Sequence, residues 1–415
     1  MQRVERIALT GLRHPENPKT SKSNIIRSPL NRKLILNIYL LKNIPYIADY
    51  CKRYYNSLKN YHQCDVLIDM TDLKLGRRMA QITAQLYNSG YSSCLKVSLR
   101  DYVRRRLTDE EYSHVPLSIS RLYTFRNKRD PFLFTVCHNN QKARYRKALI
   151  INQNMTEFKE RLNERFFFPI LMHPNRMIDN DLDNPPGVDC QNRRIGILFI
   201  GNTEKSYEKH TGRMHELYGL YARREVVEHV ASRFPEHVVR PESEHELLGM
   251  IDTEDLSDKI VIIDKFRVNE NYFSLYRKSR FHLWTPGFFM PYCHNTIESM
   301  ACGAIPLYQS FPYYPGMIEG YNCLSYQTFD EMDDVIERVL EGGISPNELD
   351  LMGKRTRELY DTHFSKKAIK QKIDDFIADE DTPYEKLYIC SGAVFNKSKN
   401  EQEKIRRIQF KNVVR

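Results

Sequence analysis

The sequence predicts an α/β protein with two Rossmann-like domains, and three observations lead to this prediction. Short apolar runs with the length of buried strands recur in both halves of the chain, for example at residues 33–41 and 194–201. Amphipathic segments separate these runs. A stretch rich in Asn, Asp and Pro, residues 175–193, divides them into two groups. Alternating strands and helices indicate a parallel sheet, and the division indicates two such sheets.

Length and composition limit the class of protein. The chain has 415 residues, of which 41% are hydrophobic and 28% charged, and this composition is typical of a soluble globular protein. Its formal net charge of +10 favours an anionic partner, such as a nucleotide diphosphate, an acidic glycan, a lipid head group or nucleic acid. A charge surplus without chemical function is the alternative. The sequence has no nucleic-acid-binding module, so we do not expect nucleic acid as the partner.

Cysteine usage and hydropathy indicate the compartment. The nine cysteines include no C-x-x-C pair, which favours a reduced protein without a zinc site. No apolar run approaches about eighteen residues and no signal-peptide pattern opens the chain, so we expect a cytoplasmic protein that does not span a membrane. Residues 179–183 resemble the start of a calcium-binding loop, but Cys190 stands where that loop requires Glu. We therefore expect no metal and no cofactor.

Composition also sets the expected boundaries. We predict a flexible arm, a first domain, a linker, a second domain and a C-terminal segment, at residues 1–30, 31–174, 175–193, 194–365 and 366–415. The last twenty residues, 396–415, are basic and weakly amphipathic. They could contact an anionic membrane surface, or they could be a frayed tail.

The first domain alternates between apolar runs typical of buried strands and amphipathic segments typical of helices. We expect strands at residues 33–41, 65–70, 94–99, 131–137 and 148–151, with a helix at 46–61 and a second helix between Gly76 and Gly90. We expect residues 166–172 to close this domain. In the second domain we expect strands at 194–201, 237–240 and 259–264 and helices at 216–233 and 269–278.

Residues 279–309 are the part of the second domain that could carry chemistry. An apolar strand, 281–284, ends at Pro286-Gly287, a short helix begins near Asn295-Thr296 and ends at Gly303, and a second strand covers 304–308. The N-terminus of that helix would offer backbone N–H donors to a phosphate or diphosphate. Glu298, one turn later, could accept hydrogen bonds from ribose hydroxyls, or it could form a capping box with Asn295.

These residues resemble a known family. The segment ESMACGAIP, residues 298–306, is similar to the E-x-(L/M)-A-x-G-x-(I/V)-P segment of glycosyltransferases with the two-domain GT-B fold. The preceding SRFHLWTPG, residues 279–287, resembles the corresponding segment of the exostosin-like members. The resemblance covers roughly residues 194–376. Many relatives carry a second Glu that contacts the donor sugar, and Met290 stands at that place here, so the resemblance does not define the sugar.

The resemblance implies two domains that face a cleft, with a helix at residues 365–378 crossing back to the first domain. It places a nucleotide-sugar donor near Gly201, Asn202, Lys205, Lys209, Arg267, Gly287, His294, Asn295, Thr296 and Glu298. It places the acceptor near the loop after residues 65–70, where Asp69 and Asp72 are candidates for the catalytic base. Arg77 and Arg78 in that region could hold an acidic acceptor or the leaving phosphate. Helix capping by Asp72 and a solvated basic turn are the alternatives.

The function implied is a metal-independent, GT-B-type glycosyltransferase. It would move a sugar from a nucleotide-sugar to a hydroxyl of a glycan or lipid-linked acceptor in polysaccharide synthesis, with possible peripheral membrane contact. One alternative is a nucleotide-sugar epimerase or phosphorylase on the same fold. Another is a non-catalytic polyanion-binding protein that uses the basic surface.

Overall fold

The computed structural model describes residues 43–59, 63–70, 76–108, 119–124, 132–139, 144–154, 157–179, 190, 192–204, 211–268, 270–287, 290–309 and 314–390. The strands are β1 Val66–Asp69, β2 Ser93–Lys96, β3 Arg121–Leu122, β4 Phe134–His138, β5 Ala148–Asn152, β6 Ile195–Ile200, β7 Val238–Val239, β8 Leu256–Ile263, β9 Ser279–Leu283, β10 Ile305–Gln309, β11 Leu324–Tyr326 and β12 Tyr384–Tyr388. The helices are α1 Ile44–Lys59, α2 Gly76–Asn88, α3 Leu99–Thr108, α4 Pro174–Asp179, α5 Thr211–Tyr218, α6 Arg223–Arg233, α7 Glu244–Thr253, α8 Tyr272–Arg277, α9 His294–Met300, α10 Phe329–Leu340, α11 Pro346–His363 and α12 Lys366–Ala378. A 3₁₀ turn covers Lys159–Arg161.

Two six-stranded parallel sheets organise these elements, which confirms the predicted fold class. The first sheet has the order β12-β5-β4-β1-β2-β3, and the second has the order β11-β10-β9-β6-β8-β7. We call each sheet with its helices the first and the second lobe. In both sheets the first described strand is central, and the later strands are added first on one side of it and then on the other. This order places a crevice between β1 and β4 and another between β6 and β9.

The C-terminal part returns to the first lobe, as the resemblance implied. Helix α12 begins at the N-cap Ser365, and its buried Phe376 packs edge-to-face on Phe134 of β4 and on Phe166. Strand β12 then pairs with β5 along five residues and completes the first sheet. The sequence did not predict this strand, since it lies in the segment expected to be a helix with a tail.

Residues 166–172 run beside the end of β12 with one bridge, Phe167 to Tyr388, and form no longer ladder, since Pro169 has no N–H to continue it. Two predicted segments differ from the structure. The helix expected at 216–233 is divided into α5 and α6 at Gly219, whose φ is 65°. The linker begins with the short helix α4. The strand expected at 33–41 lies outside the described residues.

One hydrophobic core joins the lobes. It runs from the first sheet through the segment 166–172 to the buried faces of α8 and α9. A second core fills the other face of the second sheet under α6 and α10. Among the helices that the structure describes, none combines the length and the apolar character needed to cross a bilayer.

Candidate functional site

The crevice of the second sheet contains Arg223, the first residue of α6. Its Nε donates to Thr285 Oγ1 at 3.1 Å and its Nη2 donates to the Pro286 carbonyl at 3.2 Å, both just after β9. Its Nη1 lies 3.5 Å from the Asn202 carbonyl, just after β6. The guanidinium therefore spans both sides of the crevice. Ligands of open α/β sheets bind at such switch points.

Two glycines allow neighbouring atoms to approach the backbone closely at this crevice. A Cβ atom at Gly201 would lie 2.9 Å from the ring of Phe199 and 3.4 Å from Nη1 of Arg223. A Cβ atom at Gly287 would lie 2.7 Å from the carbonyl oxygen of Tyr292. Neither position can hold a larger residue without movement of its neighbours. Both glycines that we predicted at the donor site are thus points of close approach.

Helix α9 begins at the same crevice, but its start differs from the predicted one. The N-cap is Cys293, and no side chain caps the helix there. Asn295 lies inside the helix, and its Nδ2 donates to the carbonyl of Ile200, the last residue of β6, at 2.5 Å. The alternative of a capping box between Asn295 and Glu298 is therefore wrong, because the amide ties the helix to the strand. Thr296 is completely buried.

The carboxylate of Glu298 is completely buried and accepts four hydrogen bonds. The donors are the backbone N–H of His173 at 2.8 Å, Arg176 Nη1 at 2.9 Å, the Tyr272 hydroxyl at 2.6 Å and His294 Nδ1 at 2.9 Å. A carboxylate offers about four lone-pair positions, so these donors use its capacity. Glu298 thus ties the linker and α8 to α9. A ribose hydroxyl could bind it only by displacing one of these donors.

The charges around Glu298 follow from its burial. Burial raises the pKa of Glu298, but His294 and Arg176 lower it by more, so that the pKa is well below its usual value. Burial lowers the pKa of His294 to about 4, against the opposing effect of Glu298. Burial, His294 and Arg77 together lower the pKa of His173 to about 3. At neutral pH both imidazoles are neutral, and the carboxylate has Arg176 as its cationic partner.

The corresponding edge of the first sheet holds a buried ion pair. Asp69, the last residue of β1, is completely buried, and Lys96 Nζ donates to its Oδ2 at 2.8 Å. The Tyr145 hydroxyl donates to the same oxygen. The catalytic role of Asp69 stays a prediction, and these two donors compete with it, since a general base must accept a proton from the acceptor. Asp72 lies outside the described residues.

Arg78 of α2 connects the two lobes. Only 6% of it is exposed, so the alternative of a solvated basic turn is wrong for this residue. Its Nε donates to the Cys390 carbonyl at 2.7 Å, and its Nη1 donates to Gln81 Oε1. Its Nη2 lies 2.5 Å from Sδ of Met290. Because α2 follows β1 and Met290 follows β9, the carboxyl edges of the two sheets meet at this contact.

The other predicted residues are less informative. Lys205 and Lys209 lie outside the described residues, and Arg267 is exposed in the segment between β8 and α8. The sequence did not point to Arg223, because the single helix predicted at 216–233 placed it in mid-helix. Gly219 was the signal that could have found it, since a glycine at positive φ ends α5 and lets a new helix begin at Arg223.

No group of three or more His, Cys, Asp or Glu side chains that could hold a metal ion occurs within the described part of the chain. No protein-family model matches the sequence, and no curated protein matches it significantly.

Several solved structures resemble the chain weakly. HepE of Anabaena in complex with UDP is 13% identical, with a TM-score of 0.39, over 75% of this chain and 99% of that one. A glycosyltransferase of Rickettsia africae is 11% identical, with a TM-score of 0.40, over 77% and 99%. Sucrose-phosphate synthase of Thermosynechococcus elongatus is 14% identical, with a TM-score of 0.34, over 82% and 78%. TM-scores below about 0.5 do not establish a common fold, so the architecture described above rests on the strand pairing of this chain.

Proposed function

We propose that the protein is a glycosyltransferase of the GT-B type. It would bind a nucleotide-sugar at the crevice of the second lobe and transfer the sugar to a hydroxyl of a glycan or lipid-linked acceptor held by the first lobe. The observation that carries this proposal is Arg223, a cation that spans the crevice between β6 and β9. That edge meets the carboxyl edge of the first sheet through Arg78 and Met290, so a sugar bound there would lie between the lobes.

Sugar transfer requires residues that stabilise the leaving group and a base that accepts the proton of the acceptor hydroxyl. The bond between the anomeric carbon and the phosphate oxygen breaks, so negative charge develops on the departing diphosphate. Arg223 would stabilise that charge, and electrostatic stabilisation of this kind is often the largest catalytic contribution. A new bond forms between the anomeric carbon and the acceptor oxygen, whose proton passes to a base. Asp72 remains our candidate for that base.

The remaining predicted donor residues fit this arrangement in different ways. Gly201, Asn202 and Gly287 form the edge that Arg223 spans or adjoins. Asn295 ties α9 to β6 and thereby fixes the position of His294. We propose that Glu298 contributes by holding His294 and the linker in place, since four donors already engage it.

Isothermal titration with nucleoside diphosphates tests the binding part of the proposal. HepE is described with UDP, so UDP is the first probe, followed by GDP and CDP. Replacing Arg223 by Gln removes a charge-assisted contact to phosphate, and we expect affinity to fall on the order of 10- to 100-fold. Arg224→Gln is the matched control, because the neighbouring Arg224 pairs with Glu228 on the exposed side of α6.

Wild-type protein that binds none of the three nucleotides would contradict the proposal. Equal affinity of the Arg223→Gln and Arg224→Gln variants for the nucleotide would show that Arg223 does not contact it. Conversion of the nucleotide-sugar without an acceptor would favour an epimerase, and a phosphate-dependent product would favour a phosphorylase. Binding to heparin or RNA with steep salt dependence, and to no nucleotide, would favour a polyanion-binding protein.

We also propose that the protein acts in the cytoplasm, at the membrane face if its acceptor is lipid-linked. The basic segment that would make this contact, residues 396–415, lies outside the described residues. Co-sedimentation with anionic and with neutral vesicles checks this part. Equal recovery with both vesicle types would contradict an electrostatic membrane contact.

A further inference from the structure

Arg78 is a buried cation for which the described part of the chain supplies no anion. Its three polar contacts are a backbone carbonyl, the neutral amide oxygen of Gln81 and the thioether of Met290. Of these, a thioether is a weak acceptor. No carboxylate of the described residues forms an ion pair with its guanidinium.

Among the residues that the structure describes, the neighbours of Arg78 do not compensate its charge. Burial, reinforced by the adjacent cation Arg77, lowers the pKa of Arg78 to about 10, so it is still protonated at neutral pH. Burial raises the pKa of Cys390 to about 12 and that of Tyr314 above its ordinary value, so both neighbours are neutral. A buried charge without a partner costs free energy, which an anion placed beside it would recover.

The position of Arg78 indicates which part of a ligand it would meet. The segment 290–293 contacts both arginines, since Met290 meets Arg78 and Sγ of Cys293 lies 3.5 Å from Nη2 of Arg223. Arg78 belongs to α2 of the first lobe, whereas Arg223 belongs to α6 of the second. In the proposed reaction the sugar lies between a diphosphate at Arg223 and an acceptor on the first lobe, so the sugar is the part of the donor that we expect to meet Arg78.

We propose that Arg78 binds a carboxylate on the transferred sugar, and that the donor is therefore a nucleotide-activated uronic acid. This inference rests on the proposed function of the same site. A guanidinium and a carboxylate match in a planar, bidentate geometry, and desolvation strengthens the pair. Where a uronic acid carries its C6 carboxylate, a neutral hexose carries a hydroxymethyl group. The hexose would therefore bring no counter-charge to the buried guanidinium.

Matched donor pairs test the proposal. Dissociation constants are measured for UDP-glucuronic acid against UDP-glucose, and for GDP-mannuronic acid against GDP-mannose, with UDP and GDP alone as references. Within the pair whose nucleotide binds, we expect the uronate to bind on the order of 10- to 100-fold more tightly than the hexose. The Arg78→Gln variant should lower this ratio toward one, whereas Arg224→Gln should keep it.

A second variant tests the same contact in case the Arg78→Gln substitution at this buried position prevents folding. Met290→Glu places a carboxylate of the protein beside the guanidinium, where it should displace the uronate and remove or reverse the preference. Met290→Gln, of similar size and without charge, should keep the preference. Far-UV circular dichroism and the fluorescence of the single tryptophan, Trp284, report whether each variant folds.

The outcomes separate this inference from the proposed function. Equal binding of uronate and hexose by wild-type protein that does bind the nucleotide would overturn the inference and leave the proposed function intact. No binding of UDP, GDP or CDP would instead defeat the proposed function. A uronate preference that survives in folded Arg78→Gln and Met290→Glu proteins would show that another residue reads the carboxylate, and would overturn the assignment to Arg78.

Discussion

Replacing Glu298 by Gln tests the buried tie between the linker and α9. The substitution keeps the shape of the side chain and one acceptor oxygen but removes the negative charge. Arg176 then loses the carboxylate charge of Glu298 at 2.9 Å, and the Tyr272 hydroxyl and His294 must share one remaining oxygen with the His173 amide.

The size of the effect follows from burial. Removing one partner of a buried ion pair costs about 3–5 kcal/mol. The Arg176 side chain is 23% exposed, so water can solvate part of its charge, and we expect the lower end of that range, about 3 kcal/mol. The pKa of Glu298 is lower in the folded than in the unfolded protein. The stability that its charge contributes is therefore fully present above the unfolded-state pKa, and it is lost as pH falls from that value through the folded-state pKa. Measurements at pH 7 therefore report the whole effect.

Urea denaturation measures this change. With a slope of about 3 kcal/mol/M, the midpoint of Glu298→Gln should fall by about 1 M. Circular dichroism and Trp284 fluorescence should give the same midpoint if the lobes unfold together. Glu337→Gln is the control, because Glu337 is 41% exposed and its pair with Arg233 lies at the surface, where the expected change is below about 0.5 kcal/mol. Equal midpoints for the two variants would show that the buried Glu298 carboxylate contributes no more to stability than a surface ion pair.

Two further predictions concern backbone packing and pH. Gly287→Ala should weaken nucleotide binding and lower stability by about 1–3 kcal/mol, because its Cβ would lie 2.7 Å from the carbonyl oxygen of Tyr292. Gly249→Ala in helix α7 is the control and should stabilise the protein, because a Cβ there has nothing within 4 Å. Equal stability of the two variants in calorimetry would contradict this prediction. Burial lowers the pKa of His282 to about 3 and that of His294 to about 4, so the unfolded chain binds protons that the folded chain does not as pH falls below about 6.5. The two histidines together should lower the free energy of unfolding by about 4 kcal/mol between pH 7 and pH 5, and His282→Gln should remove about half of that decrease; equal urea midpoints at the two pH values would contradict it.

Much of the fold could be predicted because its signals are local. Apolar runs located β1, β6, β8 and β9, and the glycine at residue 90 closed α2 as expected. Strand β12 was missed, because its sequence, YEKLY, alternates with charges and gives no buried-strand signal. What makes it a strand is its pairing with β5, a contact between residues more than two hundred positions apart.

The site was less predictable because its contacts are non-local. The sequence indicated Glu298, but His173 before the linker, Arg176 in it and Tyr272 in α8 lie 125, 122 and 26 positions away. Of the four donors, only His294 is near in sequence. Similarly, no local pattern indicated that Lys96 and Tyr145 would meet Asp69. Arg223 was hidden by the predicted continuous helix. Spacing identifies the residue types of a site, whereas the sheet topology decides which of them meet.

We propose that the crevice at Arg223 binds a nucleotide-sugar and that the sugar is transferred to an acceptor. The most direct measurement incubates the protein with a panel of UDP-, GDP- and CMP-sugars and candidate acceptors, and records released nucleotide together with the mass of the glycosylated product. We expect one donor to be consumed and nucleotide and glycosylated acceptor to appear in equal amounts. Arg223→Gln should lose this turnover, while Arg224→Gln should retain it. A folded protein that consumes no donor in the panel, or that turns over equally well in both variants, would contradict this proposal.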